Sequence, residues 1–267
     1  MRRLSAFLIV LGLCALALPG IVSAAPQVTF KAAVVPIVGF PHTGNVLRAG
    51  AAVQIEYTIS GTESRGGVPQ PLTGVNLYLP TGFRVHPAGI ATCSLQMLER
   101  NGPHGCPPGS AAGPAGQVLV GKEPVPEEGT IESFYLPGGE LEFFTEAHSP
   151  FLVEIYAHAH FVNLAGGGGF GPEVIAEVGK RQTEEPEEPS TDKVTMKVGS
   201  AYRTGGRAHY NLTLPKRCPR GGFPIKAELK FAAHAGTVPS SEKLGAANLV
   251  LPEQTVTKFY KTACPRK

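Results

Sequence analysis

Tryptophan is absent from this chain, and aspartate occurs once, at Asp192. Sugar-binding faces commonly stack rings on exposed aromatics, Trp above all. A carbohydrate site here would therefore fall to tyrosines such as Tyr156, Tyr202 and Tyr210. A single aspartate excludes an aspartic dyad, an EF-hand loop and a Ser-His-Asp triad built on any other aspartate. GxSxG, HExxH and Gly-Lys-Ser/Thr are also missing, and with them the nucleophile elbow, the zinc-protease helix and the phosphate loop. Without a CxxC pair, neither a zinc knuckle nor a thioredoxin-type redox site is encoded. Paired glutamates at a suitable separation are the one route to hydrolysis that composition leaves open. No nucleophile–base signature accompanies them, and the expectation is a non-enzymatic protein without a cofactor.

What is present begins with an export signal. "MRR" is a positive start, Leu4 to Leu18 is an apolar run, and "PGIVSAAP" supplies a helix break and small residues. This is the plan of a secretory signal peptide over residues 1–24, too short before Pro19 to span a bilayer. No second long apolar run follows, so the mature chain is expected to be secreted or extracytoplasmic, without a transmembrane segment. Removing Arg2 and Arg3 leaves 22 basic against 21 acidic residues, a formal net of +1. That balance argues against nucleic acid as a partner.

The mature chain holds four cysteines, Cys93, Cys106, Cys218 and Cys264. An even count after an export signal reads as two disulfides, with three pairings open. Cys93–Cys106 with Cys218–Cys264 is the favoured one, because it staples one loop and ties the last strand to an earlier one. The 33 glycines and 25 prolines punctuate the chain densely, which favours short strands over helices. "VQIEYTIS" sets Val53, Ile55, Tyr57 and Ile59 against Gln54, Glu56, Thr58 and Ser60. "IKAELKF", "KVTMKV" and "HYNLTL" alternate in the same way, the mark of antiparallel strands with one buried face. "TCSLQMLE" is the one helix signal. Two halves are expected, 25–125 and 126–267, and the acidic, proline-broken segment within residues 180–192 reads as a solvated linker inside the second. The fold expected is all-β: an antiparallel β-sandwich, or two packed in tandem, with one short helix.

"VNLYLPTGF" followed by "CSLQMLERNGPHGCPPGSAAGPAG" resembles a pattern in uncharacterised exported proteins of actinobacteria. There a strand ending in Leu-Pro-x-Gly leads to a cysteine and then to Cys-Pro-x-x-Ser. The segment from "VTMKVGSAYRTGG" to "PIKAELKFA", with the closing "TACP", is similar to the second half of those proteins. The resemblance implies an Ig-like sandwich at the envelope or in the medium. It supports the Cys218–Cys264 pairing and brings no catalytic residues.

Two clusters remain as candidate sites. In "EIYAHAHFVNLAGGGGFGPEV" a strand places Glu154, Tyr156, His158 and His160 on one face, and Glu154, His158 and His160 are the candidate metal ligands. The plainer reading is the polar face of a strand, with the glycines as a hairpin loop or bulge. Lys216, Arg217, Arg220, Arg266 and Lys267 flank Cys218 and Cys264. If those cysteines pair, five cations gather at one end of the fold, where anionic envelope polymers would be attracted. The expected role is a cell-envelope structural or interaction module, whose partners are such polymers or another surface protein. The alternatives are a glycan- or metal-binding surface and, behind them, a Glu/His hydrolase.

Overall fold

The computed structural model of the chain describes residues 26, 28–37, 53–60, 71–86, 88–121, 127–148, 152–183, 190–215, 218–238, 247–251 and 253–264. The signal segment 1–24, residues 184–189 of the linker, and Lys216, Arg217, Arg266 and Lys267 lie outside the described residues. Strands dominate, and their bounds follow the alternating segments. In chain order they are Thr29–Pro36 (β1), Val53–Ser60 (β2), Leu72–Pro80 (β3), Arg84–Val85 (β4), Gly116–Gly121 (β5) and Glu127–Tyr135 (β6). Leu141–Ala147 (β7), Val153–Gly167 (β8), Phe170–Thr183 (β9), Ser190–Val198 (β10), Ala201–Thr204 (β11) and Arg207–Tyr210 (β12) come next. Leu212–Thr213 (β13), Phe223–Phe231 (β14), His234–Val238 (β15), Ala247–Leu251 (β16) and Gln254–Thr262 (β17) complete the set.

Eleven of these form one antiparallel sheet in the order β1-β2-β10-β5-β6-β7-β8-β9-β3-β14-β17. Strands from either side of residue 125 alternate within it: β10 lies between β2 and β5, and β3 between β9 and β14. The remaining strands make three two-stranded ribbons, β11–β12, β4–β13 and β15–β16. The sheet curls until its first and last strands meet. Phe30 of β1 and Tyr260 of β17 touch edge to face, with ring centroids 6.4 Å apart. Of the expected linker, residues 180–183 belong to β9, which pairs through Thr183, and Ser190 begins β10. "HYNLTL", which reads as one strand, is interrupted at Asn211 between β12 and β13.

Alternation explains which face is buried. Along β14, Phe223, Ile225, Ala227 and Leu229 are fully buried, while Pro224, Lys226, Glu228 and Lys230 face outward. Their apolar side joins Phe30, Leu77, Leu79 and Phe143 in one core enclosed by the curl. On the outer side, Lys226 Nζ lies 2.9 Å from Glu228 Oε1 and 3.4 Å from the centre of the Tyr78 ring. Tyr78 Oη donates to Glu228 Oε2 at 2.9 Å, and Asn76 Nδ2 donates to Glu173 Oε1 at 3.0 Å. These contacts hold β9, β3 and β14 in register. Burial raises the Glu228 carboxyl, but its bonds from Lys226 and Tyr78 outweigh that and leave it below the usual range.

The glycine run after β8 is a tight turn. Gly168 and Gly169 have φ of 69° and 84°, the pair of positive angles that a two-residue hairpin with matching twist requires. Pairing of Tyr156 with Lys180 and then Ala157 with Val178 leaves Gly179 as a bulge in β9. The single α-helix, Leu95–Asn101 (α1), starts where the Ser94 hydroxyl accepts from the Met97 amide at 3.2 Å. It buries Leu98 against Phe134, Phe144 and Tyr156 on the outer face, whereas Leu95 stays 41% exposed. A Cys93–Cys106 disulfide brackets α1, and the Cys93 amide donates to the Tyr135 carbonyl at 2.8 Å. Cys218 and Cys264 form the second disulfide, just beyond the end of the β14–β17 ladder where Phe223 faces Thr262.

Position on the ladder should decide the cost of truncation. Leu229→Ala, at a buried site, is expected to lower the unfolding free energy by about 2–5 kcal/mol in a urea titration. Phe259→Ala, where the ring is 71% exposed, should change it by less than about 0.5 kcal/mol. Equal effects would contradict the assignment of inner and outer faces.

Candidate functional site

The outer face of β7 and β8 carries a histidine held between two carboxylates. His158 stands directly opposite Glu142 across the β7–β8 ladder. Its Nδ1 is 3.2 Å from Glu142 Oε2, and its Nε2 is 3.4 Å from Glu140 Oε2. Glu142 is buried, while His158 and Glu140 remain close to half exposed. Burial pushes the Glu142 carboxyl above its ordinary value, His158 pulls it partly back, and Glu99 on α1 adds a further upward push. Glu132 on β6 is raised in the same way, by burial first and by Glu146, with His104 opposing. Tyr156 lies under α1, its ring 5.1 Å from that of Phe144, and its hydroxyl donates to Glu154 Oε2 at 3.4 Å. Burial and the Glu154 charge raise the Tyr156 phenol to about 12.

These contacts divide the candidate metal ligands. Glu154 is engaged by Tyr156, His158 by Glu142 and Glu140, and His160 is exposed further along β8. Among the described residues, no group of three or more His, Cys, Asp or Glu is placed to hold a metal ion. The tyrosines do not form a row either. Tyr202 pairs with His209 and stacks on it at 5.0 Å, while Tyr210 pairs with Ala201 and so faces the other side of the β11–β12 ribbon. Arg220, the described member of the basic cluster, is exposed at the turn before β14. Among the described residues, no helix is long and apolar enough to cross a membrane.

The inner face holds a different kind of site, which no sequence motif announced. Two apolar cavities lie in a row along β3 within the curl. The first, about 40 Å³, is walled by Leu77, Leu79, Phe161, Val174, Leu212 and Asn211. The second, about 80 Å³, is walled by Leu72, Ile131, Thr145, Ile155, Val178 and Val194. Val75, Phe143 and Ala176 belong to both walls, so the two spaces adjoin. Short side chains make the room: Ala157 on β8 and Ala176 on β9 stand where their neighbours Ile155 and Val174 are larger. Val75, Ala157, Phe161, Ala176 and Val178 consequently pack against the core without being fully buried.

Three polar side chains line this space, Asn211 at the smaller cavity and Thr145 and Thr191 at the larger. Asn211 is 2% exposed, and its backbone is satisfied on both sides. The Asn211 amide donates to the Ser200 carbonyl at 3.0 Å, and the His86 amide donates to the Asn211 carbonyl at 2.6 Å. The side-chain Nδ2 is buried with no hydrogen-bond partner. Leaving such a donor unpaired costs about 1–3 kcal/mol, so a fold that keeps it there has an acceptor to offer or leaves one to be supplied. In sequence Asn211 heads a glycosylation sequon, "NLT", but a side chain this buried is closed to a glycan.

No protein-family profile, no curated protein and no solved structure matches the chain.

The outer cluster makes a pH prediction. Glu142 has a folded pKa above its unfolded value, so its ionised form opposes folding above that pKa and the opposition lifts as pH falls through it. Glu142→Gln keeps the shape and removes the charge. Relative to wild type, the variant should be more stable near pH ~7, with a larger unfolding free energy, than near pH ~4. A difference that is the same at both would show Glu142 to be solvated like an exposed carboxylate.

Proposed function

We propose that the chain is an exported, non-catalytic binding module that holds a small apolar ligand inside its curled sheet. The observation that carries this reading is the pair of adjoining cavities along β3, walled by side chains that a filled core would have buried. An interior is normally packed to crystal-like density, and a site dominated by apolar walls with few polar groups is the usual form of a small-molecule pocket. In this reading the two halves of the curled sheet serve as the leaves of an Ig-like sandwich, as the resemblance to exported actinobacterial proteins implies. The disulfides suit an oxidising compartment, and the basic residues around Cys218 and Cys264 would keep the module at an anionic envelope.

Hydrolysis is the second reading, supported by one observation, the His158–Glu142–Glu140 contact with its raised carboxyl. The binding reading is preferred because the cavities are walled mainly by apolar side chains of the core while the histidine sits nearly half exposed on a sheet face, where water screens its partners.

Methyl-resolved NMR titration with a small alkane such as propane tests the binding reading. Saturable shifts confined to Val75, Leu77 and Val174 are expected. Ala176→Phe, which fills the shared wall, should abolish them while leaving the far-UV circular dichroism unchanged. Absence of saturable shifts in the folded wild-type protein, or shifts scattered over the surface, would refute it.

A further inference from the structure

We infer that β17 is a docking edge for a second copy of this chain, which pairs its own β17 antiparallel and sets Lys261 of each copy against Glu253 of the other. This goes beyond the binding reading and does not depend on it. β17 is the last strand in the sheet order, paired on one side with β14 from Gln254 to Thr262 without a bulge. β1 touches it through the Phe30 and Tyr260 rings. Both rings belong to the inner face, since Phe30 is buried and Tyr260 stands opposite the buried Ile225. The outer side chains Thr255, Thr257, Phe259 and Lys261 stay exposed, Phe259 at 71%. An edge this regular, without proline, is a template for another strand. β1, the opposite edge of the sheet, is blunted. It ends in Pro36, which has no amide to donate, and its Lys31 has no acidic residue on the strand to answer it.

Symmetry and charge choose the register. Two copies joined edge to edge about a two-fold axis keep their outer faces on the same side, so the axis passes through a residue that opposes itself. An axis at Lys258 would set two ammonium groups against each other. One at Phe259 would set Lys261 against Thr257, and one at Val256 would set Glu253 against Phe259. An axis at Thr257 instead sets Lys261 against Glu253 twice, Phe259 against Thr255, Tyr260 against Gln254 and Lys258 against Val256. Of these registers it alone opposes unlike charges. Glu253 and Lys261 are both exposed and free to meet a second chain. Directly opposed residues stand about 4.5–5.5 Å apart at Cβ, where unlike charges attract and like charges disfavour pairing.

Sedimentation velocity over a concentration series tests the pairing on the mature chain. Wild type should show a reversible monomer–dimer equilibrium. Lys261→Glu and Glu253→Lys should each weaken it about tenfold, since two unlike pairs become two like ones. The double variant, Lys261→Glu with Glu253→Lys, should recover it. Cysteine placement gives a second readout that does not rest on these variants. In this register residue 257 faces its own counterpart within disulfide reach, whereas residue 255 faces residue 259. Under mild oxidation Thr257→Cys should therefore give a covalent dimer and Thr255→Cys should not. A monomer at every concentration, a dimer indifferent to both reversals, no recovery in the double variant, or equal cross-linking at the two positions would overturn the inference.

Discussion

An antiparallel sheet with one apolar face must find something to cover that face, and eleven strands present far more of it than a seven-residue helix could shield. In this chain the cover is the sheet itself. Curling brings β1 to β17, turns every inner side chain toward the same interior, and leaves the charged positions of β14, β9 and β8 outside. Register follows from that constraint, since a one-residue slip of any strand would send its apolar set into water. The outer contacts among Lys226, Tyr78, Glu228, Asn76 and Glu173 reinforce a register that burial already selects.

The candidate site depends on the same curl. Along the neighbouring strands β7, β8, β9 and β3, the short side chains Ala157 and Ala176 stand between Phe143 and Val75 and leave the inner face underfilled there. Each wall atom facing a void loses dispersion contacts that a ligand would restore. The proposed binding role and the underfilled core rest on this one feature. Helix α1 stands outside this arrangement. With its disulfide it seals Phe134, Phe144 and Tyr156 on the opposite face, and so prevents a second exposed apolar surface.

Much of the local structure was legible in the residues. Alternation in "VQIEYTIS" and "IKAELKF" marks β2 and most of β14, the Gly-Gly turn follows β8, and Ser94 opens the helix that "TCSLQMLE" announces. Strand order was not legible, because nothing in the "KVTMKV" segment says that β10 inserts between β2 and β5. The site was hidden for the same reason. Glu140 and Glu142 come to His158 across a ladder, and their sixteen- to eighteen-residue separation in sequence carries no motif. Asn211 read as part of a sequon in a strand, and only the fold shows that it lies where β12 breaks before β13 and lines the smaller cavity.

The central claim, that the curled sheet encloses accessible apolar space, is most directly tested by xenon. Crystals of the mature protein under xenon pressure should show anomalous density bounded by Val75, Phe143 and Ala176, the residues common to both cavities. Side chains closed over that position, with no xenon between them, would contradict the account.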